Sequence, residues 1–144
     1  MERSERPKFS IQERDQRWKS IRQEMVREGL DCLVIIGKSG MWDSHSSNVR
    51  YVTQVFWESL AVFPLEGDPT AFVWGAHQTE WFLDLQDWVK DIRPGRWQWA
   101  ESAANRVKEL GSQEGRIGLV GLGGWSEPEG IWPYQAYYNK YEQP

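Results

Sequence analysis

Ser59-Leu60-Ala61-Val62-Phe63-Pro64 and Thr70-Ala71-Phe72-Val73-Trp74 are two short apolar runs on either side of Glu66-Gly67-Asp68-Pro69. Turn-forming residues between runs rich in branched and aromatic side chains predict a β-hairpin. Glu66 and Asp68 flank Gly67 and serve that turn rather than a catalytic carboxylate pair. A hairpin supplies an antiparallel pair, so any sheet that includes it is at least partly antiparallel.

Working outward from the hairpin, Cys32-Leu33-Val34-Ile35-Ile36 is a continuous apolar run. Its shortness and its branched residues predict a strand covered on both faces. Before it, Ser10-Ile11-Gln12-Glu13 has the form of a capping box. It opens a helix with Ile11, Trp18, Ile21 and Met25 on one stripe, and Gly29 is placed to end it. Asn48-Val49-Arg50-Tyr51-Val52-Thr53 alternates weakly, as a strand or an extended segment. After the hairpin, His77 to Leu85 predicts a helix with Trp81, Phe82 and Leu85 at helical spacing. Trp88 to Ile92 is a short strand. Trp99, Ala103, Val107 and Leu110 form a helical stripe closed by Gly111, and Arg116 to Gly121 is a last strand. Pro133 opens a final helix at its first position, with a stripe of Tyr134, Tyr137, Tyr138 and Tyr141. Strands alternating with helices, plus a hairpin, predict an α/β layered fold with a mixed sheet.

The chain has 144 residues, the size of one compact domain. No repeat or linker divides it. The expected organisation is a charged, solvated arm over residues 1–9 and a single domain over 10–144. The net charge of -4 and the lack of a basic stripe exclude nucleic acid as an expected partner. No apolar stretch approaches the roughly 20 residues that span a bilayer, so no membrane partner is expected. The polar start does not resemble a signal peptide, and a cytoplasmic location is expected. Cys32, the single cysteine, lies inside an apolar run and reads as a buried, inert thiol. Ten tryptophans are spread along the chain. Most suit packing, but tryptophan is also enriched at interfaces.

Motifs that would carry chemistry fail on spacing. Gly37-Lys38-Ser39 follows a strand, but a phosphate-binding loop needs a glycine where Cys32 stands. Gly118, Gly121, Gly123 and Gly124 also follow a strand. A dinucleotide fingerprint would need a further glycine at Ser126, and Pro128 interrupts the region. Those glycines suit a segment that passes close to another backbone. His45 and His77 are isolated, and no cysteine pair exists to build a zinc site. His77 and Glu80, three apart, read as a surface helix pair. His45 belongs to the polar loop Gly37 to Ser47, a candidate contact loop. No catalytic residue, metal ligand or cofactor is therefore expected in this chain.

Several segments together resemble a known family. A capped helix ends in Gly29-Leu30-Asp31 and leads into Leu33-Val34-Ile35. Asn48-Val49-Arg50-Tyr51-Val52-Thr53 follows, then Ala61-Val62-Phe63-Pro64 with Gly67-Asp68-Pro69-Thr70, then Glu109-Leu110-Gly111 with Arg116-Ile117-Gly118-Leu119. In order and spacing, residues 10 to 142 resemble the N-terminal domain of creatinase/prolidase/aminopeptidase P metallohydrolases. The resemblance implies a three-layer α/β/α fold with a mixed sheet, a ribonuclease H-like motif. It implies a non-catalytic role in dimer assembly and in shaping substrate access. It also implies, as a partner, a C-terminal catalytic domain of pita-bread fold that this chain lacks. That domain would hold two divalent ions (Mn, Co or Zn) and hydrolyse bonds next to proline, or amidine-type substrates such as creatine. One departure stands out: Gln54 occupies a position where many members carry glycine.

On this resemblance Trp42, His45, Arg50, Tyr51 and Trp57 are expected near the loop edge that faces a catalytic site. Arg50 would there pair with a substrate carboxylate. Trp97, Trp125, Trp132, Tyr134 and Tyr138 are expected to contribute to an aromatic surface that the partner domain covers, and a homo-oligomer is expected. The competing expectation is an independent protein-interaction or small-ligand-binding module that reuses the fold.

Overall fold

The computed structural model describes residues 8–37, 47–96 and 98–121. Helix α1 spans Ile11–Glu28. Ser10 caps it by accepting from the Glu13 amide at 3.1 Å. The second half of the expected capping box is replaced, because the Glu13 carboxylate instead accepts from Arg17 Nε at 2.8 Å. Gly29 ends the helix in the left-handed conformation at φ 65°. The Leu30 amide reaches back to the Met25 carbonyl at 2.8 Å, closing the C-terminal turn as glycine-terminated helices do. Trp18 and Met25 are buried, whereas Ile11 stays exposed.

Strand β1 spans Cys32–Gly37, β2 Ser59–Pro64 and β3 Thr70–Val73. The hairpin forms as expected, with β2 and β3 antiparallel in the register Leu60–Phe72 and Ala61–Ala71. Gly67 takes φ 88° at its turn, and its carbonyl accepts from the Arg22 guanidinium on α1. Strand β4 spans Asp91–Pro94 and β5 Ile117–Val120. The strand predicted at Trp88 to Ile92 thus starts later. Trp88 and Val89 are buried in the turn before it, held by Gln86 Oε1, which accepts both of their amides.

The sheet order is β4-β3-β2-β1-β5. Strands β1, β3, β4 and β5 run one way and β2 the other. Helix α3, Ala76–Leu85, joins β3 outward to β4, and α4, Trp99–Glu109, returns across the sheet to β5. Crossovers of one hand that travel in opposite directions must lie on opposite faces. The core divides accordingly. Ile35, Ala61, Phe63, Ala71 and Val73 face Trp18 of α1 and Phe82 of α3. Cys32, Val34, Leu60, Val62 and Phe72 face Ala103 and Val107 of α4. These are the three layers of a mixed α/β fold.

One element departs from the sequence reading. Residues 47–53 are a helix, α2, Ser47–Thr53, not a strand or extended segment. Val49 and Val52, three apart, are buried on its inner side. Trp18 Nε1 donates to the Val52 carbonyl at 2.9 Å within the core. Thr53 Oγ1 donates to the Val49 carbonyl at 2.7 Å and accepts from the Val55 amide at 3.0 Å, which terminates the helix. A helix of seven residues with three β-branched members has little propensity of its own. Tertiary burial makes it.

Two readings of small residues hold. Cys32 is fully buried, and burial pushes its thiol up to about 11. Gly121 takes φ 88°, and a Cβ there would lie against the Ile36 carbonyl oxygen. Gly121 thus serves a close backbone approach, and Gly123 and Gly124 lie outside the described residues. On the α4 face, Arg93 bridges Asp91 and Glu109, while Arg106 reaches Glu109 and Thr70. Burial works against ionisation of Asp91. Hydrogen bonds from Arg93 and Thr70 and the charges of Arg93 and Arg106 outweigh it and hold the carboxyl below its ordinary range. This network fastens α4 to the β4 edge. Among the described residues, no helix is long and apolar enough to cross a membrane.

Candidate ligand-binding groove

Of the residues expected near a substrate path, the described structure includes Arg50, Tyr51 and Trp57. Trp42 and His45 lie outside the described residues, as do Trp97, Trp125, Trp132, Tyr134 and Tyr138 and the helix expected from Pro133. Arg50 and Tyr51 both stand exposed on the outer side of α2. Tyr51 is 48% exposed, and the Arg17 guanidinium covers its ring at 4.4 Å. Arg17 also donates to the Tyr51 carbonyl at 3.2 Å. Tyr51 is therefore a surface ring braced by α1, not a core residue.

The turn after α2 carries two unusual backbones. Gln54 has φ 63° and Trp57 φ 68°, both in the region that side chains with a Cβ seldom adopt. Gln54 repays some of that strain by donating Nε2 to the Arg50 carbonyl at 3.1 Å. At Trp57 the conformation turns the indole outward. It stacks on Trp81 of α3, with centroids 4.9 Å apart and planes at 29°. Phe56 meets Trp81 edge-on at 5.6 Å and the buried Phe82 at 4.9 Å. Adjacent aromatics on a helix cannot both point inward, because successive side chains are about 100° apart. Phe82 takes the core, so Trp81 is left at the rim, 36% exposed.

Behind this ring cluster lies a groove of about 270 Å³ between the start of α1, α2 and the end of α3. Phe9, Phe56, Trp81, Leu85 and Trp88 give it apolar walls, and Arg50 and Gln54 line one part of it. Lys8 and Asp87 also line it and pair with each other at 3.0 Å. Trp88 Nε1 donates to the Phe9 carbonyl at 3.1 Å, so that indole is already satisfied. The Arg50 guanidinium lies 5.7 Å from the Phe56 ring centroid. It has no carboxylate partner among the described residues. The sequence signalled Arg50 but not the rest of the groove. Phe9 and Lys8 come from the expected arm, and Trp81 and Trp88 read as packing.

Comparison with protein families matches the creatinase/prolidase N-terminal domain over residues 17–123. The match runs from α1 through all five strands to just past β5. The chain belongs to this family. No curated protein matches the chain. The segments that carried the resemblance prove to be neighbours in space. In this creatinase/prolidase N-terminal domain, the Asp31 amide donates to the Arg116 carbonyl at 2.9 Å. Asp31 Oδ2 accepts from the Arg116 amide at 2.8 Å, and the Arg116 guanidinium donates to the Glu28 carbonyl at 2.9 Å. The helix ending in Gly-Leu-Asp and the strand opening in Arg-Ile-Gly are therefore one clasp. It locks β1 against β5. Gln54, noted in the sequence as a departure from the resemblance, takes a left-handed backbone.

Proposed function

We propose that this domain is a non-catalytic module of an Xaa-Pro peptidase- or creatinase-like hydrolase, serving dimer assembly and the shaping of substrate access. The observation that carries the reading is the family match across the whole sheet, with Arg50, Tyr51 and Trp57 exposed together on α2 and the turn after it. A guanidinium and two aromatic rings at a rim can orient a substrate that carries a carboxylate. The reading assigns no bond cleavage to this chain. The two divalent ions would belong to a catalytic domain of pita-bread fold, and that domain and a second copy of this one are the partners proposed.

Two measurements test it. The purified chain, supplied in turn with manganese, cobalt or zinc, is expected to leave Xaa-Pro dipeptides and creatine intact. Measurable hydrolysis would refute the non-catalytic role. Sedimentation over a range of concentrations is expected to reveal a dimer. A strict monomer would remove the assembly role.

A further inference from the structure

We propose that the groove between α1, α2 and α3 is a binding site within this domain for a small aromatic monocarboxylate. The proposal goes beyond assembly and access, because the site needs no residue from another domain.

Charge selects the ligand. Lys8 and Asp87 neutralise each other, which leaves Arg50 as the uncompensated charge among the described residues that line the groove. A guanidinium offers a planar fork of donors that matches a carboxylate. The walls select the rest of the molecule. Five apolar side chains, four of them aromatic, line the space, and aromatic rings favour edge-on or offset contact with another ring. The volume, about 270 Å³, falls below the range of pockets that hold drug-sized ligands. The occupant is therefore one ring with a short acid side chain.

The groove is also formed before the ligand arrives. Phe82, 1% exposed, anchors Phe56 from below. Trp57, held at φ 68°, backs Trp81 from outside. Backbone strain of this kind persists where the surrounding structure over-determines it, and it gathers at binding sites. Trp57 does not line the groove, so it is a positioning residue. Preorganised walls reduce the ordering cost of binding.

The test uses the 144-residue chain with phenylacetate as probe and benzyl alcohol and phenethylammonium as controls. Two-dimensional NMR of the indole N–H groups reads the result, with the Trp81 peak assigned by Trp81→Phe. Phenylacetate is expected to shift the Trp81 and Trp88 peaks with a Kd on the order of 1 mM. The Trp18 peak, whose N–H is bonded inside the core, should not move. Arg50→Ala should weaken phenylacetate at least about tenfold, the scale of one charge-assisted hydrogen-bonded contact. Arg50→Lys should recover part of the loss. Arg50 is exposed, so both variants should keep the wild-type melting temperature. Trp57→Ala should weaken binding while leaving the preference for acid over alcohol intact. Equal shifts from benzyl alcohol, tighter binding of phenethylammonium, or no phenylacetate response would each overturn the site. None of these outcomes depends on whether the chain dimerises or hydrolyses a peptide.

Discussion

On one face of the sheet, three helices cover a thick aromatic layer of Trp18, Phe63, Phe82 and Trp88. On the other, one helix brings Ala103 and Val107 down onto Cys32, Val34, Leu60 and Val62. Small side chains let α4 sit close, and its rim is fastened by the charges of Asp91, Arg93, Arg106 and Glu109. Large rings do not tile a surface so completely. They leave Trp57 and Trp81 at the edge and a groove behind them. The difference explains why the candidate site belongs to the aromatic face. Cavities arise where bulky side chains from several short elements must meet, and the same rings that leave the gap line it.

The most severe way to break this contrast is Phe63→Ala. Phe63 is fully buried, meets Trp18 edge-on at 5.9 Å, and anchors the aromatic layer at its centre. Its truncation should cost about 3–5 kcal/mol in urea unfolding. A loss near 1 kcal/mol would mean that the rings do not pack as a unit. On the opposite face, Cys32 gives the next largest effect. Its thiol ionises at about 11 when folded, against an ordinary 9.0. The folded state therefore keeps a proton that the unfolded chain releases. The associated stability is full below pH 9 and is lost as pH rises towards 11, on the order of 2 kcal/mol in all. Cys32→Ala should flatten that alkaline slope. An unchanged slope would show that the α4 face is open to water. The smallest effect sharpens the account of the rim. Gln54→Gly relieves a left-handed backbone at the expense of one side-chain hydrogen bond and greater chain entropy. It should stabilise the domain by about 0.5 kcal/mol, read as a small rise in melting temperature. A clear drop would mean that the Gln54 bond to the Arg50 carbonyl outweighs the strain.

Much of the fold was legible because its signals are local. Ser10 and Gly29 bracket α1 through cap chemistry that depends on a few neighbours. The hairpin declares itself through Gly67 between two apolar runs. Gly121 reads correctly because a glycine after a strand has few other uses. α2 was not legible, since Val49, Arg50, Tyr51 and Val52 fit alternation as well as they fit a single helical turn or two. Only Trp18, thirty-four positions away, decides the matter by bonding the Val52 carbonyl. The site was legible in part. Arg50 and Trp57 were singled out through the family resemblance, and of the two only Arg50 lines the groove. Phe9, Trp81 and Trp88 were not singled out, because their place in the groove depends on long-range contacts such as Trp88 Nε1 to the Phe9 carbonyl, across 79 positions.

The clasp between Asp31 and Arg116 also fixes the order in which the domain can be completed. Its partners are 85 positions apart, and β5 pairs only with β1. Until residues 116–120 arrive, one side of β1 has amide and carbonyl groups with no strand to receive them. Closing so long a loop is a slow step in forming a sheet, and an open strand border of this kind invites pairing with another molecule. A nascent chain stalled before β5 would thus expose the unpaired side of β1 to its neighbours, so the quality of late synthesis decides whether the product stays in solution or clumps.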